Sequence, residues 1–175
     1  MTTASPRIDE QPIAMTSTTA RAGFAELYER HYEAVFRAAL RVTGNPADAE
    51  DVLQTVFLRV LARGEDVEAA RLPAAYFRRA AVNAACDRLR RRAVHAESAF
   101  DDQAPPAAVQ PPLLLKERLR RAIAALESED ATLFLLRHVE GLSIEELAGV
   151  FQLEKNNVAV RLHRIRLRLQ AEMER

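Results

Sequence analysis

Apolar positions along this chain recur at spacings of three and four, the pattern that puts side chains on one face of a helix. Phe24, Leu27, Tyr28, His31, Val35, Ala39 and Val42 form the first such stripe, and Gly44 ends it. Asn45-Pro46 then reads as an N-cap followed by a proline at the first helical position, where the absent N–H is no loss. Asp48, Glu50 and Asp51 fall in the first turns of this second helix, at the positive end of its dipole. Its core stripe is Ala49, Val52, Leu53, Val56, Phe57, Val60 and Leu61, with Asp51, Gln54, Thr55 and Leu58 on the opposite side. Residues 63–72 are a polar interruption and predict a loop. Pro73 opens a third helix running to about Arg92, and Phe77, Ala80, Ala81 and Ala84 give it a face of mostly small residues that neighbouring helices can approach closely.

The period then breaks. AFDDQAPPAAVQPP carries four prolines and no sustained repeat, the composition of an extended linker. Beyond it, Leu115, Leu119, Ile123 and Leu126 mark one helix, and Ser128 is the expected cap of the next, which Gly141 ends. Ser143 and Glu146 have the spacing of a capping box, with Leu142 and Leu147 as its hydrophobic staple. The last helix carries Val158, Leu162, Ile165 and Leu169 on its core face and Arg161, Arg164 and Arg168 on an adjacent one. The expected fold is all-α, with two small helical domains joined by a flexible Pro-rich linker, the second containing a helix-turn-helix. The boundaries are a disordered arm over 1–20, a first domain over 21–95, a linker over 96–112 and a second domain over 113–175. Met15, inside the arm, is a candidate for the true start.

Composition narrows the class. Apolar residues make up 49% of the chain, enough for packed cores, and aromatics only 6%. The single cysteine, Cys86, excludes an intrachain disulfide and reads as a small packing residue. No apolar run reaches the roughly 18 residues of a membrane span, and no secretory leader is evident, so a cytoplasmic protein is expected. The formal net charge is zero, which hides a strong local asymmetry. Residues 71–92 hold seven arginines against one acid, and residues 161–168 hold four arginines and no acid. Two basic helices on a neutral chain suit site-directed contact with phosphates better than general adhesion. Catalysis is not expected: there is no Gly-rich phosphate loop and no His/Cys/Glu set with ligand spacing, so no catalytic residue, cofactor or metal is assigned.

The stretch from Gly141 to Arg168 is the most informative. A short capped helix, a tight turn and a second helix with an arginine-rich flank make the pattern of a DNA-reading helix-turn-helix. A helical hairpin with a solvated arginine face is the plainer alternative. Asparagine can pair with adenine and arginine with guanine through two hydrogen bonds, so Asn156, Asn157 and the arginines are candidate readers.

Three motifs together resemble one family. NPADAEDVLQTVFLRVL (Asn45–Leu61), AYFRRAAVNAACDRLRRR (Ala75–Arg92) and LFLLRHVEGLSIEELAGVFQLEKNNVAVRLHRIRLRL (Leu133–Leu169) are similar, in order, to the acidic helix, the promoter-melting helix and the C-terminal helix-turn-helix of extracytoplasmic-function bacterial sigma factors. The resemblance implies a sigma factor that binds core RNA polymerase and directs promoter recognition and DNA melting. It implies that Asp51 and Gln54 meet the coiled coil of the largest subunit, and that the loop before Leu72 receives a flipped base. Tyr76, Arg79, Asn83 and Arg88 would hold the minus-ten element. The second domain would dock on the polymerase flap and read the minus-thirty-five element through Asn157, Arg161, His163 and Arg164. The linker would run toward the active-site cleft and RNA exit path, and an anti-sigma factor is an expected further partner. The chain departs from the family pattern at Thr55, usually acidic; at Tyr76, usually tryptophan; at Gln152, often glycine; and at Ala159 and Val160, usually basic or hydroxylated. Those last two remove candidate DNA contacts and predict altered minus-thirty-five preference or heavier reliance on Arg161 and Arg164. The rival from another class is a stand-alone helix-turn-helix regulator that binds an operator unaided.

Overall fold

The computed structural model describes residues 14–62, 73–98 and 111–174. Among them every regular element is a helix: α1 (Ala14–Thr43), α2 (Pro46–Ala62), α3 (Ala74–Ser98), α4 (Pro111–Ala124), α5 (Ser128–His138), α6 (Ile144–Phe151) and α7 (Lys155–Glu174). The helix α1 begins at Ala14, inside the segment expected as an arm, and α3 runs to Ser98, past the expected boundary. The expected loop over 63–72 and the central part of the expected linker lie outside the described residues.

Helices α1–α3 form one packed unit. Leu27, Val35, Val42, Val52, Val56, Phe57, Phe77 and Val82 are all buried in it. His31 is buried too, stacked on the Phe77 ring at 4.1 Å between centroids. The turn between α1 and α2 is built as the sequence predicts. Gly44 takes φ +68°, a conformation that side chains resist, and a Cβ there would collide with the guanidinium of Arg120 on α4. Asn45 Oδ1 accepts from the Ala47 N–H at 2.9 Å, capping α2.

Helices α4–α7 form the second unit. Ser143 and Glu146 exchange both bonds of the capping box: Glu146 N–H donates to Ser143 Oγ at 3.1 Å, and Ser143 N–H donates to Glu146 Oε2 at 2.7 Å. These bonds hold the Glu146 carboxyl below its usual pKa, the backbone bond most of all. Leu142 and Leu147, the proposed staple, are both buried. The turn between α6 and α7 passes through Gln152, the C-cap of α6, at φ 54° and ψ 44°. Val158, Leu162, Ile165 and Leu169 are the buried stripe of α7, as their spacing requires. Ser128 departs from expectation: it is the first residue of α5, behind an N-cap at Glu127 that makes no side-chain cap bond.

The two units touch. Helix α3 packs against α1 and α2, and also against α4, α5 and α6, so it is the central helix of the molecule. Its small residues make this possible: Ala81, Ala84, Ala85 and Cys86 are buried where larger side chains would hold the neighbours off.

Candidate nucleic-acid interface

On α3, the four residues expected to hold the minus-ten element do not point freely into solvent. Asn83 Oδ1 accepts hydrogen bonds from Ser128 Oγ and Thr132 Oγ1 on α5, both at 3.0 Å. Ser128 thus spends its hydroxyl across the domain boundary rather than on its own helix end. Arg79 donates to the Val150 carbonyl near the end of α6 at 2.6 Å and lies over the Phe151 ring, 4.4 Å from its centroid. A cation at a helix C-terminus and over an aromatic face is held on two counts. Arg88 bridges Asp48 at 2.8 Å and Asp51 at 2.6 Å on α2. The hydrogen bond to Asp48, chiefly, raises the Arg88 pKa above its ordinary value. Tyr76 is half-buried, its ring edge-on to Phe77.

Arg90 was not singled out from the sequence, yet it is the most extensively bonded cation of the boundary. Its guanidinium donates to the Ala124 carbonyl at 3.2 Å, the Leu126 carbonyl at 3.0 Å and Ser128 Oγ at 3.3 Å, while also pairing with Asp87 at 3.1 Å. It satisfies carbonyls left open where α4 ends, a task arginine's fixed fork of donors suits. Cys86 lies beside it, fully buried, with its thiol against Thr132. Burial pushes the thiol up to about 11, against a smaller opposing effect of the Arg90 charge. Arg41 on α1 pairs with Glu140 at 3.0 Å, a further tie between the halves.

The candidate polymerase contacts lie on α2, beside Arg88 of α3. Asp51, Gln54 and Thr55 line an open groove of about 210 Å³ with Leu58, Arg88 and Arg91. Gln54 is exposed; Asp51 is exposed but already paired with Arg88.

On α7 the structure sorts the expected readers into two groups. Arg161 faces α5, where it pairs with Asp130 at 2.5 Å and Glu129 at 3.1 Å. Burial opposes its charge, but the hydrogen bonds to Asp130 and Glu129 outweigh that and leave its pKa raised. Arg168 also reaches Asp130, at 3.4 Å, and Lys155 is paired with Glu145 at 2.6 Å. Asn157, His163 and Arg164 are exposed. Asn157, Val160, Arg161 and Arg164 line one open groove of about 420 Å³ beside the acids Glu127 and Asp130. Glu129 and Asp130 stand in the first turn of α5, and no local spacing links them to Arg161, 31 residues beyond Asp130.

Among the described residues there is no group of three or more His, Cys, Asp or Glu able to hold a metal, and no helix long and apolar enough to cross a membrane.

A helix-turn-helix unit behind a three-helix unit with a basic central helix is the architecture of a two-region transcription initiation factor. Comparison with known proteins agrees: the Sigma-70 region 2 family matches residues 27–94 and the Sigma-70 region 4 family matches residues 116–169. The chain is 31% identical over 156 residues to the RNA polymerase sigma-E factor of Streptomyces avermitilis, covering 86% of this chain and 85% of that protein. It is 32% identical over 157 residues to the sigma-E factor of Streptomyces coelicolor, with the same coverage of 86% and 85%. CarQ, an RNA polymerase sigma factor of Myxococcus xanthus, is 32% identical over 149 residues, covering 83% of this chain and 86% of CarQ. The fold is similar to that of CnrH, solved in complex with the cytosolic domain of CnrY, at a TM-score of 0.52 and 21% identity over 91% of this chain and 96% of that one. The chain belongs to the extracytoplasmic-function class of RNA polymerase sigma factors. These relatives are transcription initiation factors, and the stand-alone regulator is not favoured.

Proposed function

We propose that this sigma factor works by divided labour between its two halves, which core RNA polymerase must first part. The observation that carries this reading is the double use of Asn83 and Arg79. They are candidate minus-ten contacts, yet their polar atoms are bonded to α5 and α6. With α5 and α6 packed over this part of α3, a DNA strand and those helices compete for the same place beside Asn83 and Arg79. The free chain is therefore closed, and promoter DNA reaches α3 only after α5 and α6 move off it.

In the open state, Asp51 and Gln54 on α2 contact the coiled coil of the largest subunit, and α4–α7 dock on the flap. Tyr76, Arg79, Asn83 and Arg88 hold the minus-ten strand, with capture of unpaired bases offsetting an unstacking cost of a few kcal/mol per base. Asn157, His163 and Arg164 read the minus-thirty-five duplex, while Arg161 braces α7 against α5. Each half alone touches few phosphates and binds weakly. Polymerase fixes their separation, so the second contact becomes intramolecular. A further partner is an anti-sigma polypeptide, by analogy with the cytosolic domain bound to CnrH. It would act by favouring the closed form.

Reconstitution tests this. Core polymerase mixed with the full chain is expected to start transcription at defined promoters, with permanganate-reactive thymines near the minus-ten element. Initiation by the mixture that is no more specific than that of core alone would refute it.

A further inference from the structure

The groove on α7 contains one residue that the fold does not account for. Val160 is 42% exposed in the second turn of α7, while the core stripe of that helix, Val158, Leu162, Ile165 and Leu169, is buried. A β-branched residue in an exposed helix interior lowers helix propensity and gains no packing in return. A single exposed valine means little by itself; its neighbours give it meaning. Asn157, Val160 and Arg164 follow at spacings of three and four, so they form one stripe, and all three line the same open groove. Arg161 also borders the groove, but its guanidinium is already bonded to Asp130 and Glu129. Leu153, ahead of the helix, and Arg168, paired with Asp130, line it as well; along the stripe from Asn157 to Arg164 the side chains left to read bases are an amide, an aliphatic group and a guanidinium, in that order.

The major groove of DNA offers a counterpart for each: adenine for the amide, guanine for the guanidinium, and the thymine C5-methyl, an apolar group on a base edge, for the aliphatic side chain. Helix rise sets the scale. Val160 lies about 4.5 Å along the axis from Asn157 and about 6 Å from Arg164, against about 3.4 Å between stacked base pairs. The stripe therefore spans a few adjacent pairs, with Val160 over a middle one.

Resting on the reading that α7 enters the minus-thirty-five major groove, we propose that Val160 is a specificity residue that recognises one thymine methyl, between the bases addressed by Asn157 and Arg164. Cytosine at that position would leave its N4–H₂ donor against an aliphatic side chain with no acceptor. Uracil would keep every hydrogen bond and lose only the apolar contact. Val160 is thus a thymine reader on the stripe between Asn157 and Arg164.

The test is a methyl-deletion scan. Holoenzyme assembled from core polymerase and the full chain is titrated against promoter duplexes in which each minus-thirty-five thymine, on either strand, is replaced singly by deoxyuridine. A duplex with the whole element scrambled serves as control. Wild-type holoenzyme is expected to lose about three- to fivefold in affinity at one position, the worth of one buried methyl group. Val160→Ala should bind the thymine and deoxyuridine duplexes alike at that position, and Val160→Thr, which keeps a γ-methyl, should restore the difference. Equal binding of every deoxyuridine duplex by the wild type overturns the proposal, as does a Val160→Ala variant with undiminished sensitivity. If the scrambled control binds as well as the promoter, the minus-thirty-five reading itself fails, and the proposal with it.

Discussion

Removing the two hydroxyls that hold Asn83 should open the molecule, and its one cysteine reports the opening. In Ser128→Ala/Thr132→Val, the Asn83 carbonyl oxygen loses both donors, each at 3.0 Å, while Thr132→Val conserves volume in a fully packed site. Ser128 is exposed, so its bond contributes little beyond accepting from Arg90. The Thr132 hydroxyl shares its one proton between Asn83 Oδ1 and the Ser128 carbonyl of its own helix at 2.8 Å; losing it leaves the part-buried Asn83 oxygen unsatisfied in the closed form, at a cost of about 1–3 kcal/mol. Taking about 2 kcal/mol together, and about 1.4 kcal/mol per factor of ten, the open population rises about 30-fold. Cys86 sits at this boundary, fully buried, with its thiol pushed up to about 11 by burial and in contact with Thr132. Only the open form presents a normally ionising thiol, since the thiolate is the reactive species. The assay is the labelling rate of Cys86 by a small aromatic disulfide at pH 8 in the full chain, expected to rise about 30-fold. Its dependence on urea separates domain parting from unfolding, because the slope scales with the surface exposed. A rate unchanged by the double substitution, or one that rises only with the slope of global unfolding, would refute the reasoning.

Other expectations follow from the same contacts. His31 is buried with Nε2 lacking a hydrogen-bond partner, and its pKa is lowered, first by burial and then by the Arg30 charge. His138 is lowered too, by burial and then by Arg166 and Arg137. Both take up protons less readily in the fold than in the unfolded chain, whose histidines titrate near pH 6.5, and the effect is the stronger for His31 because His138 is exposed. Stability should therefore fall as pH drops through that value, by at most about 1.4 kcal/mol per pH unit for the buried His31, and thermal melts of His31→Gln should flatten the slope. Arg161→Ala should lower the melting temperature of the chain, at a cost of about 1–2 kcal/mol, because it strips the nearly buried Asp130 of its closest partner. Arg164→Ala should leave melting unchanged and weaken minus-thirty-five binding in a filter or anisotropy assay; equal melting of the two variants would refute the distinction. Gln152→Gly should stabilise the protein by about 1 kcal/mol, seen as a higher urea midpoint, since Gln152 holds a left-handed φ of 54° that glycine adopts without strain.

The helices and their ends were legible because they depend on local chemistry. Gly44, Asn45, Gly141 and the Ser143–Glu146 box act within a few residues, and the buried stripes of α2 and α7 follow from periodicity alone. The closure was not legible. Its bonds join residues far apart in the chain, such as Asn83 to Thr132 and Arg79 to Val150, and no spacing rule links them. The same side chains also suit DNA: an asparagine and an arginine on an exposed basic helix look identical whether their partner is a base, a phosphate or another helix of the same chain. Arg161 illustrates this. The acids that hold it, Glu129 and Asp130, stand in the first turn of α5, where the helix dipole alone would account for them. Val160 appeared only as a missing contact, and its neighbours in the groove give it a different meaning.

The reactivity of Cys86 before and after binding to core polymerase addresses the central claim most directly. If polymerase parts the two halves, labelling of Cys86 in a transcription-competent holoenzyme should far exceed that of the free chain, and addition of a bound minus-ten strand should suppress it again by covering α3. A holoenzyme that initiates transcription while Cys86 stays as protected as in the free protein would contradict the account.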